Sequence, residues 1–128
     1  MRYLRFVALS LGGLLWGVAA HGQTPTSLYT QAQAQAGSAL YQQNCAMCHG
    51  NANAGSTLVK AGMNPTIGGI FGIMTSSMPL NQPGSLSQTQ YEDILAYALQ
   101  NNGYPAGSHS LDYHQALSDS RPFVNKPQ

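Results

Sequence analysis

Charge is what this chain has least of. Of its 128 residues 7% are Asp, Glu, Lys or Arg, five basic and four acidic. That scarcity excludes a nucleic-acid binder, which needs a basic patch. It also excludes a disordered chain kept open by its own charge. There is no run of like charges and no clear internal repeat, and polarity comes instead from Gln, Asn, Ser and Thr. Cysteine is equally sparse, with two residues. The length suits one small domain and leaves little room for a second.

A long apolar run is missing too. Met1–Arg5 carries two arginines, and Phe6–Ala20 is apolar, broken by small residues and free of acidic side chains. That run is short for a membrane span. It has the pattern of a secretory signal peptide, with Val18-Ala19-Ala20 or Ala20-His21-Gly22 as the cleavage site. No cysteine lies there to take a lipid anchor. Residues 1–22 are therefore expected to be a signal peptide, and the mature chain to be periplasmic with no membrane span. Cleavage would leave Lys60, Arg121 and Lys126 against Glu92, Asp93, Asp112 and Asp119, a net charge of −1. Strong electrostatic steering of a partner is not expected from such a chain.

Both cysteines fall in one stretch, Asn44–Gly50, NCAMCHG. A disulfide between Cys45 and Cys48 would close a very short loop and restrict the unfolded chain little. Paired thiols at this spacing are more often redox-active than structural, but no strand pattern of a thioredoxin-like domain precedes Cys45. A structural zinc site needs about four ligands; Cys45, Cys48 and His49 are three, and the adjacent Cys48 and His49 do not easily share one tetrahedral ion. C-x-x-C-H is the attachment signature of c-type haem. One helical turn sets the thiols at about the spacing of two vinyl groups on a porphyrin edge. The next residue then aims its imidazole at the iron. An exported chain with no other cysteine favours haem over a dithiol centre, and both over zinc.

Around the motif the pattern is helical. Leu28, Ala32, Ala36, Ala39 and Leu40 fall near a 3.6-residue repeat and predict a helix over 28–44, with Thr26 or Ser27 as cap. Gly37 inside it costs about 1 kcal/mol relative to Ala, which close approach of a second helix would explain. Ser87 and Gln90 form a capping box. Tyr91, Ile94, Leu95, Ala98 and Leu99 continue that helix as a core stripe, and Gly103 ends it. Thr66–Ser77 is a weaker helix candidate because it holds three glycines. Residues 104–128 are expected to lie over the surface, with one helical turn around Tyr113–Leu117.

Taken together, Gly37 eight residues before Cys45, Tyr41 four before it, and Ile94-Leu95-Ala96-Tyr97 give a further pattern. With it, residues 28–107 resemble a class I cytochrome c. The segment MPLNQPGSLSQTQYEDILAYALQNNGYPAG is similar to cytochrome subunits and domains that serve periplasmic quinoprotein dehydrogenases. The resemblance implies an all-α cytochrome c fold of three to four short helices around one covalent haem c. Residues 23–107 would form the domain and 108–128 a C-terminal tail. It implies that Gly37 and Tyr41 meet Ile94–Tyr97 where first and last helices cross. Cys45 and Cys48 would bind the haem, His49 would be the proximal iron ligand, and Met78, followed by Pro79 as in the family's ligand loop, the distal one. Met74, Met63, Met47, His109 and His114 are the competitors. The chain departs from the dehydrogenase-associated relatives in its short stretch between His49 and Met78. Ser56–Lys60 stands where Pro-x-Leu-x-Gly is common; Pro65 is the sole proline between the two ligands, and the pattern assigns no acceptor for the proximal His Nδ1–H.

The expected function is a one-electron carrier and not an enzyme. Redox proteins would be its partners, a quinoprotein dehydrogenase and a terminal oxidase or another cytochrome among them. The alternatives are a haem enzyme or a gas or redox sensor with an open axial site, and a haem-free thiol–disulfide exchanger.

Overall fold

The computed structural model describes residues 27–50 and 65–123. The signal segment, Ser56–Lys60, Met63 and Lys126 lie outside the described residues. Within them all regular structure is helical, in the order α1 (Gln31–Asn44), α2 (Ala46–His49), α3 (Ile67–Ser77), α4 (Gln88–Asn101) and α5 (Tyr113–Leu117). The expected all-α fold holds, with α2 and α5 as short additions to the three longer helices.

Helix α1 begins later than its periodicity predicts. Thr30 caps it: its Oγ1 accepts the Gln33 N–H, and Gln33 Oε1 accepts the Thr30 N–H, closing a capping box. Before the cap the chain is extended, with the Tyr29 carbonyl accepting the Gly107 N–H at 2.8 Å. The buried face also differs. Ala34, Gly37 and Tyr41 are buried, whereas Ala32, Ala36 and Ala39 are exposed. Alanine at alternate positions carries little periodic signal, so contact with α4 decides the face.

That contact is very close. A Cβ on Gly37 would stand 1.8 Å from the Asp93 carbonyl oxygen and 3.0 Å from the Ile94 nitrogen. The backbones of α1 and α4 therefore meet directly. One turn further on, the rings of Tyr41 and Tyr97 pack with centroids 5.4 Å apart. The crossing expected from Gly37, Tyr41 and Ile94–Tyr97 is thus present.

Helix α4 follows its sequence signals closely. The Ser87–Gln90 capping box is formed, and Tyr91, Ile94, Leu95, Ala98 and Leu99 are buried. Gly103 N–H bonds to the Gln100 carbonyl and Tyr104 N–H to the Leu99 carbonyl, the two bonds of a Schellman ending.

Helix α3 forms despite its glycines because its ends are held. The Thr66 side chain accepts the Gly69 N–H. The Ile67 and Gly68 N–H groups bond to the Arg121 and Asp119 carbonyls, each at 2.9 Å. A Cβ on Gly68 would lie 2.4 Å from the Leu117 carbonyl oxygen, so this glycine too marks a close approach. Ile67, Ile70, Phe71 and Met74 supply the apolar face.

The segment expected to lie over the surface is part of the core. Leu111, Ala116 and Phe123 are buried with the residues of α1, α3 and α4. α5 forms where expected, capped by Asp112. Apolar residues spaced this far apart show no period, so only tertiary packing reveals them. Asp119 and Arg121, whose carbonyls cap α3, also form an ion pair. Burial pushes the Asp119 carboxyl up, but the Arg121 hydrogen bonds and charge outweigh that and hold it below its ordinary value.

Two outcomes follow. Gly37→Ala should destabilise the protein by about 3 kcal/mol, read as a denaturant midpoint, because neither backbone can yield without separating the helices. A loss below about 0.5 kcal/mol, the range of a neutral surface change, would mean that the crossing can slide. Asp119 has a depressed folded pKa, so its stabilisation is present above the unfolded value of about 3.9 and is lost as pH falls through the folded value. Asp119→Asn should flatten the acid limb of the stability–pH curve in that window.

Candidate functional site

The end of α1 leads straight into the cysteine motif. The Cys45 N–H bonds to the Tyr41 carbonyl at 2.8 Å, so Cys45 closes α1 and opens α2. Its own carbonyl accepts the N–H groups of Cys48 at 3.1 Å and His49 at 2.9 Å. The motif is therefore one helical turn, with Cys45 and Cys48 at i and i+3 on neighbouring positions. Gly50 then turns the chain away at φ 80°.

The two thiols are not joined in a disulfide; Cys45 is half-buried and Cys48 exposed. Burial pushes the Cys45 thiol above its ordinary range, and the neighbouring Cys48 adds to this. Among the described residues no three His, Cys, Asp or Glu side chains gather as a metal chelate requires.

Met78 is held at the far end of α3. It is the C-cap, extended at φ −119° and ψ 152°, as the proline after it dictates. Its N–H bonds to the Met74 carbonyl at 3.1 Å. Its carbonyl accepts two bonds, from the Gly84 N–H at 3.3 Å and from the Tyr91 hydroxyl at 2.5 Å. The loop between is closed by the Gln82 N–H on the Pro79 carbonyl, 2.9 Å. Met78 is half-buried, as is His49.

These residues fit a covalent haem. The two thiols lie on one turn, Cys48 exposed and Cys45 half-buried, an imidazole follows them, and a thioether sits on a separate segment. Of the four large hydrophobic residues exposed among the described ones, Met47 (95%), Ile73 and Leu80 lie on the two segments that carry Cys45–His49 and Met78. An apolar macrocycle is the kind of surface such side chains would meet.

The competitors are placed less well. Met74 is 7% exposed and belongs to the core. Met47 sits between the two cysteines. His109 and His114 are exposed; His109 faces Ser108 Oγ at 3.3 Å, and His114 packs edge-on to Tyr113. The Pro65 carbonyl accepts the Phe123 N–H at 2.8 Å, so the C-terminal segment engages the group considered for the His49 Nδ1–H. A separate cleft of about 350 Å³ is lined by residues including Leu28, His109, Asp112 and Arg121, and by none of the site residues.

Two features of the site went unrecognised in the sequence. Tyr91 was read as part of a core stripe, whereas its hydroxyl reaches the Met78 backbone. Gly84, at φ 70°, turns the loop so that its N–H meets the same carbonyl. The signal for both was present in position alone: a tyrosine at the fourth helical position after Ser87, and a glycine just ahead of the cap.

The family model described as cytochrome c oxidase, cbb3-type, subunit III matches residues 32–97, a stretch that contains Cys45, Cys48, His49, Met78 and most of α4. Among solved structures, the crystal structure of the sulfane dehydrogenase SoxCD from Paracoccus pantotrophus is similar with a TM-score of 0.47 and 21% identity, over 91% of this chain and 69% of that one. No curated protein matches.

Proposed function

The chain belongs to the cytochrome c family of that model, cytochrome c oxidase cbb3-type subunit III, and on that premise we propose that it is a periplasmic monohaem carrier of single electrons. The family carries covalent haem c and transfers electrons. What is proposed beyond it is the ligand set, the location and the partners. The observation that carries the reading is the C-x-x-C-H segment, folded as one helical turn inside the matched stretch.

The haem supplies a one-electron couple between ferric and ferrous iron. Cys45 and Cys48 would hold it as thioethers, and His49 would give the proximal nitrogen. Met78, held by the cap of α3 and the loop that closes behind it, would give the distal sulfur. A thioether raises the potential relative to a second imidazole, because it favours ferrous iron. With His49 and Met78 both on the iron, no open position would be left for substrate chemistry. Export to the periplasm is supported by the pattern of Met1–Ala20. The description of the matched family supports a terminal oxidase as acceptor, and the likeness of the 78–107 segment supports a quinoprotein dehydrogenase as donor.

The first test is the absorption spectrum of protein matured in a haem-loading periplasm, oxidised and reduced. A low-spin spectrum with the far-red sulfur-to-iron band in the ferric state is expected, and Met78→Ala should lose that band while keeping its haem. A high-spin wild-type spectrum would mean an open iron site and an enzyme or sensor. Protein without haem would overturn the reading entirely.

The partner surface can be tested by salt. From Phe6 to Tyr91 the only Asp, Glu, Lys or Arg is Lys60, so both ligand segments are uncharged. Partner contacts of a carrier are small and transient. Electron-transfer rates should change less than about twofold between low and physiological ionic strength, in contrast to steered association. A steep fall would place charged contacts at the docking surface.

A further inference from the structure

The Tyr91 hydroxyl is the one side-chain group that reaches the Met78 backbone among the bonds described above. It spans from the first turns of α4 to the loop behind α3, and Tyr91 as a residue is 4% exposed. The Met78 N–H is tied to α3 through Met74, and the Met78 carbonyl to Gly84 within the loop. The Gly84 bond is internal to the loop and would travel with it if it swung away, while the Met74 bond only ends α3 at the loop's first residue. The Tyr91 bond is different in kind, because it fixes the loop to the helix that crosses α1. We propose, resting on Met78 as the distal ligand, that Tyr91 is a positioning residue: its hydroxyl latches the ligand loop to α4 and keeps the Met78 sulfur on the iron against competing ligands.

The argument is one of linkage. An outside ligand can take the distal position only when Met78 leaves it, and for Met78 to leave, the loop must move. Any bond present in the closed loop and absent in the open one lowers the apparent affinity of the outside ligand by the same factor. A neutral hydrogen bond to a carbonyl changes an equilibrium by about two- to tenfold. Removing the hydroxyl alone leaves the ring in the core, and the Met78 carbonyl keeps the Gly84 N–H as a partner. Tyr91→Phe therefore has every reason to fold.

The control lies in the same protein. Tyr29, also buried at 1% exposure, donates its hydroxyl to the Tyr104 carbonyl at 2.6 Å. Tyr29→Phe deletes the same atom from the same kind of bond, away from the ligand loop. Imidazole is titrated into the ferric holoprotein of wild type, Tyr91→Phe and Tyr29→Phe at one fixed pH, with loss of the far-red band as the readout and thermal midpoints recorded beside it. The latch predicts about fivefold tighter apparent imidazole binding for Tyr91→Phe and none for Tyr29→Phe, with both midpoints lowered. Equal affinities in all three proteins would overturn the proposal and leave Tyr91 as packing. An equal rise in both variants would overturn it as well, since general loosening would then be the cause. A wild type without the far-red band would instead overturn Met78 ligation, and the latch with it.

Discussion

The rest of this structure depends on one contact, the direct meeting of the α1 and α4 backbones at Gly37. A single missing Cβ lets the Asp93 carbonyl and the Ile94 nitrogen come within distances that no other residue at position 37 would allow. At that separation the flanking residues have no freedom to choose partners. Tyr41 must pack beside Tyr97, and the buried face of α1 becomes Ala34, Gly37 and Tyr41. Dispersion between well-fitted surfaces then adds to the apolar area removed from water. The crossing is thus a geometric constraint first and an energetic one second.

Both halves of the site are referenced to that crossing. From α1, the Tyr41 carbonyl takes the Cys45 N–H, so the cysteine turn begins one helical turn after the contact with α4. From α4, Tyr91 lies one turn before Ile94 and holds the Met78 carbonyl. His49 and Met78 come from distant parts of the sequence, yet each is attached within a few residues to one of two helices that cannot slide past each other. If His49 and Met78 both hold the iron, as proposed, they would need this kind of common frame, because a shift of one segment relative to the other would separate the two donors. The C-terminal segment plays the matching role for α3. It caps the first N–H groups of that helix through Asp119 and Arg121 and buries Leu111, Ala116 and Phe123 behind it.

What could be read from the sequence follows how local each signal is. The α4 helix carries its cap, stripe and terminator within seventeen residues, Ser87–Gly103, and all three are where they were expected. C-x-x-C-H is local as well, and so is the bias that Pro79 puts on Met78. Gly37 was legible only through what a helical glycine is for. The start of α1 was misplaced because Thr26, Ser27 and Thr30 are all competent caps; the Gln33 side chain, three residues after Thr30, decides among them. Its buried face was misread because alanine fits either side. The role of residues 108–123 and the reach of Tyr91 to Met78 were invisible for a shared reason: both are contacts between segments that carry no complementary pattern, and a backbone carbonyl leaves no trace in the residue that owns it.

The distribution of charge completes the physical picture. The acidic and basic side chains of the described residues are Glu92 and Asp93 on α4, and Asp112, Asp119 and Arg121 near the C terminus. None lies on the cysteine turn, on α3 or on the loop from Met78 to Ser87. A redox centre changes its charge by one unit in each turnover. Neighbouring fixed charges would favour one oxidation state and would make docking depend on which state is present, with energies that grow as water is excluded. Among the described residues no such charge lies on these segments, which lessens both effects. The scarcity of charge and the tight backbone hold on the ligand segments therefore belong to one design. Where electrostatics are withheld from the site, its properties must be set by position, and position here is set by backbone hydrogen bonds.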